Sequence, residues 1–181
     1  ILPSFTEKLK GKLNEISGDN YTKLYQIIGN NIRSSGDALN ENFNANNIHR
    51  LAVRVNKLIK IFTYRAKHSK EKVLIVIDAL RNPFEAIFFR ERYSAFYLMS
   101  INTPEKDREY RLKRLLNLND VQVENISAKE ADKSIEGSEF FYSQNVSKCI
   151  QLSDIHINNP QEGTDNFTTL KKQLAWYIAL I

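Results

Sequence analysis

Apolar positions recur along this chain with two different periods, and the change of period sets out the expected elements. Ile48, Leu51, Val55, Leu58, Ile59 and Phe62 fall three or four residues apart, the spacing of one helical face. Basic residues through His68 and Lys70 suit the C-terminal end of that helix. Upstream, Ser4 or Thr6 can cap a helix that runs to about Ile16, where "SGDN" breaks it. A second helix is expected from Tyr21 to about Arg33, with Leu24, Ile27 and Ile28 on one face and "SSG" at its end. "DALNENFNANN" reads as a loop or a short irregular helix. Phe167, Leu170, Leu174, Tyr177, Ile178 and Ile181 form the stripe of a closing amphipathic helix.

Between these helices the pattern shortens. "KVLIVID" is continuously apolar and rich in Val and Ile, as expected of a parallel strand buried on both faces and ending at Asp78. In "RNPFEAIFFRERY", Asn82 can act as N-cap, with Pro83 at the first helical position and Glu85 at the third. Ser94 to Asn102 reads as a second strand, Thr103-Pro104 opens a helix through about Leu116, and Asp154 to Ile157 is a third strand. Asn125 to Asn145 is softer. Alternating strands and helices predict one α/β domain over residues 1–181, with a mainly parallel sheet flanked by helices. Ligands of such sheets bind beyond the carboxyl ends of the strands, where Asp78, Asn102 and Asn158 fall.

Composition narrows the classes. With 42% hydrophobic and 26% charged residues, the chain is expected to pack a core rather than stay disordered. Twenty-six basic against 21 acidic residues leave +5, enough to favour anionic ligands but too little for a nucleic-acid-coating surface. A single cysteine, Cys149, excludes an intrachain disulfide and a multi-cysteine zinc site, and points to a reducing, cytoplasmic setting. No apolar run reaches the roughly 18 residues needed to span a bilayer. The chain starts without Met and closes inside an apolar pattern, so the functional unit is expected to extend past both ends.

Three constellations can carry chemistry, each with two readings. Asp78 at a strand end can hold Mg²⁺ or a hydroxyl while Arg81 binds phosphate; alternatively Arg81 pairs with Asp78, and Asn82 and Glu85 only cap a helix. Arg108, Arg111 and Arg114 lie within an arc of about 120° on their helix and suit a phosphate clamp; alternatively they form a solvated face balanced by Glu105, Asp107 and Glu109. "GNNIR" places Gly29, Asn30 and Arg33 at a helix end, where they can hold a phosphate or a base edge; alternatively Gly29 only relieves close packing. There is no G-x-x-x-x-G-K-[ST], no H-x-E with P-C-x-x-C, and no metal-ligand spacing among His49, His68, His156 and Cys149.

Taken in order, "YQIIGNNIR", "VLIVIDALRNPFEAIFFRERY", "INTPEKDREYRLKRL" and "SDIHINN…LKKQL" resemble the monophosphate-binding helix, strand–helix turn, lid and last strand–helix of nucleotide kinases of the P-loop NTPase fold. The set is most similar to the kinase-like N-terminal domain of two-domain deoxycytidylate deaminases, including those of antiphage defence. The resemblance implies an incomplete P-loop NTPase fold whose phosphate loop lies upstream or is lost. It implies a zinc deaminase domain downstream, with zinc confined to that domain. It further implies that Asp78, Arg81, Arg33 and the lid arginines face a deoxynucleoside phosphate, with Mg²⁺ as a candidate companion. On this reading the chain is a regulatory nucleotide-binding module, with the attached deaminase domain and a second copy of itself as expected partners. Two alternatives stand: a nucleoside monophosphate kinase, and a non-catalytic docking scaffold.

Overall fold

The computed structural model describes residues 2–16, 20–70, 72–78, 80–130, 137–160 and 167–180. Its elements run α1 (Leu2–Ile16), α2 (Asn20–Ser34), a 3-10 turn (Ala45–Asn47), α3 (Arg50–Ser69), α4 (Pro83–Arg90), β1 (Met99–Asn102), α5 (Glu105–Leu116), α6 (Asp120–Glu130), α7 (Glu139–Tyr142), α8 (Val146–Gln151), β2 (Ile155–Asn158) and α9 (Thr168–Leu180). The class is α/β. The "SGDN" break, from Ser17 to Asp19, and the last stripe position, Ile181, lie outside the described residues.

The chain divides into two compact units. Unit 1 gathers Ile1–Ile27, Tyr97–Ala131 and Ser153–Ile181, and unit 2 gathers Ile28–Phe96 and Asp132–Leu152.

Unit 1 holds the sheet. Among the described residues it has two strands, β1 and β2, paired in parallel with Ser100 opposite His156 and Asn102 opposite Asn158. Asp154 starts the ladder: its carboxylate accepts from Leu98 N at 2.8 Å while its own N–H donates to Leu98 O. Asn159 N donates to Asn102 O at 2.7 Å and extends it. Both strands read apolar–polar in step, "MSIN" against "IHIN", so Ser100, Asn102, His156 and Asn158 share one face. The expected strand from Ser94 begins only at Met99, because Tyr93 and Phe96 close a turn (Phe96 N to Tyr93 O, 3.2 Å) and pack against Phe89.

Unit 2 is built on α3 and α4. Ala52, Phe88 and Phe89 form its buried cluster, with Val55, Ile59, Ile77, Leu80, Tyr93 and Phe96 against them. Leu58 and Phe62 of the expected apolar face stay 54% and 51% exposed, as Ile27 of α2 does in unit 1. The larger correction concerns "KVLIVID": residues 72–78 form no strand, and Leu74 and Val76 are 68% and 80% exposed. Its apolar residues suit a buried strand, but strand geometry persists only with a neighbour to complete its backbone hydrogen bonds, and no described residue supplies one. The stretch from Asn125 to Asn145, expected to be soft, takes in the second half of α6 and all of α7.

Asn82 shows how local signals and distant contacts meet. Its Oδ1 accepts from Phe84 N at 2.9 Å, capping α4 as expected, and Pro83 sits in the first turn. Its Nδ2 donates to Phe141 O and Ser143 O, both at 3.0 Å, tying down the chain between α7 and α8. Behind it, Arg33 Nε donates to Glu85 Oε1 at 2.7 Å in an ion pair whose side chains are 8% and 4% exposed. Cys149 of α8 lies in the same electrostatic neighbourhood. Burial pushes its thiol up to about 11, Glu85 adds to the rise and Arg33 opposes it.

Three outcomes follow for unit 2. In urea unfolding, Glu85→Ala is expected to cost about 3–5 kcal/mol by stranding a buried guanidinium, while Arg33→Met combined with Glu85→Leu recovers most of the loss; equal losses in both would contradict the pairing. Asn82→Ala removes a cap, leaves the Phe141 and Ser143 carbonyls without their side-chain donor, and should cost about 1–3 kcal/mol. The raised Cys149 pKa favours the folded state below the free-thiol value, and that contribution fades as pH climbs toward about 11. A thiol reagent should therefore label Cys149 slowly in the folded protein at pH 8 and rapidly once urea unfolds it.

Candidate functional site

The carboxyl ends of β1 and β2 lie side by side, since Asn102 and Asn158 are partners in the ladder. The loops leaving them begin Thr103-Pro104 and Asn159-Pro160, and prolines there stop both strands from continuing. Arg111 reaches both loops from the second turn of α5. Its Nη1 donates to Thr103 Oγ1 at 3.3 Å, its Nη2 donates to Pro160 O at 3.1 Å, and its guanidinium carbon lies 5.4 Å from the Phe167 ring centre. Its Nε is buried without an acceptor. No carboxylate pairs with Arg111 among the described residues. Neutral oxygens and a ring face satisfy part of its hydrogen-bonding capacity but none of its charge.

The polar face of the strands continues into a cleft of about 350 Å³ lined by His156, Asn158, Lys172, Gln173, Trp176 and Tyr177. Asn102 Nδ2 donates to Ser100 Oγ at 3.3 Å, and Ser100 Oγ lies 2.8 Å from His156 Nδ1. Gln173 Oε1 is buried and receives no hydrogen bond. The Trp176 ring is 60% exposed and meets Tyr177 edge-on at 4.9 Å. The cleft thus combines an ammonium, an unfilled amide acceptor and an open indole face.

The residues singled out in the sequence divide between the units. Arg108, Arg111 and Arg114 belong to unit 1; Gly29, Asn30, Arg33, Asp78, Arg81 and Glu85 belong to unit 2. Along the arginine row the guanidiniums take different partners. Arg108 bonds Glu105 at 3.1 Å and Ser127 of α6 at 2.7 Å, whereas Arg114 donates to the Tyr110 hydroxyl at 3.0 Å. In unit 2, Arg33 and Glu85 bind one another. Gly29 lies beside that pair: a Cβ there would stand 3.1 Å from Arg33 Nη1. Asn30 Oδ1 is buried without a donor. Arg81 Nη1 lies 3.4 Å from Gln144 Oε1, and its backbone carbonyl accepts from Asn145 N at 2.8 Å. Asp78 is exposed and makes no ion pair with Arg81. It does not end a buried strand.

Lys172, Gln173 and Trp176 carry no motif in the sequence, and His156 has no metal-ligand spacing there. The matching alternation in "MSIN" and "IHIN" is the signal that could have placed His156 on a shared polar face. Nothing local distinguishes Gln173, whose importance lies in an acceptor left unfilled by distant packing. Among the described residues, no group of His, Cys, Asp or Glu is arranged to hold a metal ion, and no helix is long and apolar enough to cross a membrane. Compared with known protein families, with curated proteins and with solved structures, the chain matches none.

Proposed function

We propose that this chain is a nucleotide-binding regulatory module that takes an organic phosphate at the carboxyl ends of β1 and β2. The observation that carries the reading is Arg111, a half-buried guanidinium held by neutral acceptors beside two parallel strand ends, with no carboxylate partner among the described residues. A phosphate brings that charge and matches the fork geometry of the guanidinium. The neighbouring cleft suits the rest of a nucleotide: a base can lie on the Trp176 ring and offer an N–H to Gln173 Oε1, with Lys172 close by for further negative charge.

Binding would act by differential affinity. Arg111 links α5 to the loops after both strands, so a ligand that draws on its guanidinium biases how α5 sits on the sheet. The likeness of the segments to the kinase-like domain of deoxycytidylate deaminases supports an attached catalytic domain as the receiver of that bias. A docking-scaffold reading has one observation of its own: on α9, Trp176, Ile178 and Leu180 are 60%, 51% and 64% exposed.

A thermal-shift screen with deoxynucleoside mono- and triphosphates, with and without Mg²⁺, tests the binding claim. Stabilisation by at least one nucleotide is expected. Arg111→Ala should weaken its binding by about tenfold to a hundredfold, the worth of a charge-assisted hydrogen bond. Arg114→Ala should change it little. No stabilisation by any nucleotide, or an affinity indifferent to Arg111→Ala, sinks the proposal and favours the scaffold.

A further inference from the structure

Residues 72–78 of unit 2 present an unpaired strand sequence to solvent. They contain no helix, turn or bend, and among the described residues no backbone–backbone hydrogen bond involves them. Alternation is nonetheless set from Leu74 onward: Ile75 and Ile77 are half-buried, with Ile77 on the Phe88–Phe89 cluster, while Leu74, Val76 and Asp78 are exposed, and Val73 before them is exposed as well. One side of the segment is therefore fixed by the core, and no described residue takes its backbone groups. Such an edge, rich in Val, Ile and Leu, is a template for strand addition.

The chemistry of the segment is self-complementary. Turned antiparallel on a copy of itself about Ile75, it sets Lys72 opposite Asp78, Val73 opposite Ile77 and Leu74 opposite Val76. Each pair falls on one face because antiparallel partners keep their parity. Both ends then carry a cross-strand ion pair, and Leu74 and Val76, 68% and 80% exposed, cover one another. A parallel pairing in register would instead set Lys72 on Lys72 and Asp78 on Asp78. We propose that residues 72–78 are a homodimerisation edge, taking the same segment of a second copy of this chain as an antiparallel strand centred on Ile75. A two-fold axis through Ile75 makes the contact isologous and closed. The interface is small, so the association is weak and concentration-dependent.

Sedimentation of the full chain over a concentration series tests this, with Lys72→Asp and Asp78→Lys as variants. Each variant alone sets like charges opposite one another at both ends and should weaken the dimer by about tenfold. An equimolar mixture of the two variants restores opposite charges at both ends and should recover the original association. Recovery also shows that both variants are folded. Chains that stay monomeric at the highest soluble concentration overturn the proposal, as does a dimer indifferent to both substitutions, which would use another face. A mixture that fails to recover the dimer overturns the antiparallel register. So does a monomer whose segment pairs only with a strand of a different protein.

Discussion

A guanidinium withdrawn from water needs a counter-charge, and most of what is distinctive here follows from how each arginine meets that demand. Arg33 meets it within the fold. Its bond to Glu85 joins the end of α2 to the first turn of α4, across 52 residues of chain. Position α4 that way, and Asn82 at its N-cap is placed to hold the carbonyls of Phe141 and Ser143. Without Glu85 the guanidinium would be stranded among buried groups, and the same cluster would lose the carboxylate that helps keep the Cys149 thiol protonated. The glycine one turn before Arg33 belongs to this device. It leaves the room in which the guanidinium lies.

Arg111 answers the demand differently. Thr103, Pro160 and the Phe167 ring give it direction without neutralising it. The contrast separates two arginines that look equivalent in sequence, each on a helix and each among polar neighbours. Arg108 and Arg114 show the same divergence within one helix, since spacing of three fixes a common side but not a common partner. Tertiary environment, rather than residue type or period, decides which partners each of them takes.

What the sequence made legible was whatever is settled within a few residues. Asn82-Pro83 announces the start of α4 because a cap needs only its own first turn. The strand end at Asn102 and the helix after Thr103-Pro104 were legible for the same reason, as was the basic end of α3. The ion pair of Arg33 with Glu85 was not, because neither residue carries a local sign of the other. Helices α7 and α8 escaped since they are short and are held by Asn82 and by Asn145, whose N–H bonds the Arg81 carbonyl and whose Oδ1 caps α8. Polar residues that read as softness are there doing the capping.

Residues 72–78 mark the other limit of local reading. Apolar content and β-branching describe a surface that fits a pleat, but a strand is a relation between two chains of backbone. The two ladder strands are no richer in Val and Ile than "KVLIVID", yet they are strands because each meets the other in register from Leu98 and Asp154 onward. The apolar run lacks such a neighbour and so keeps only the alternation that its contact with Phe88 and Phe89 imposes. Composition thus describes what a segment fits, and tertiary neighbours decide what it becomes.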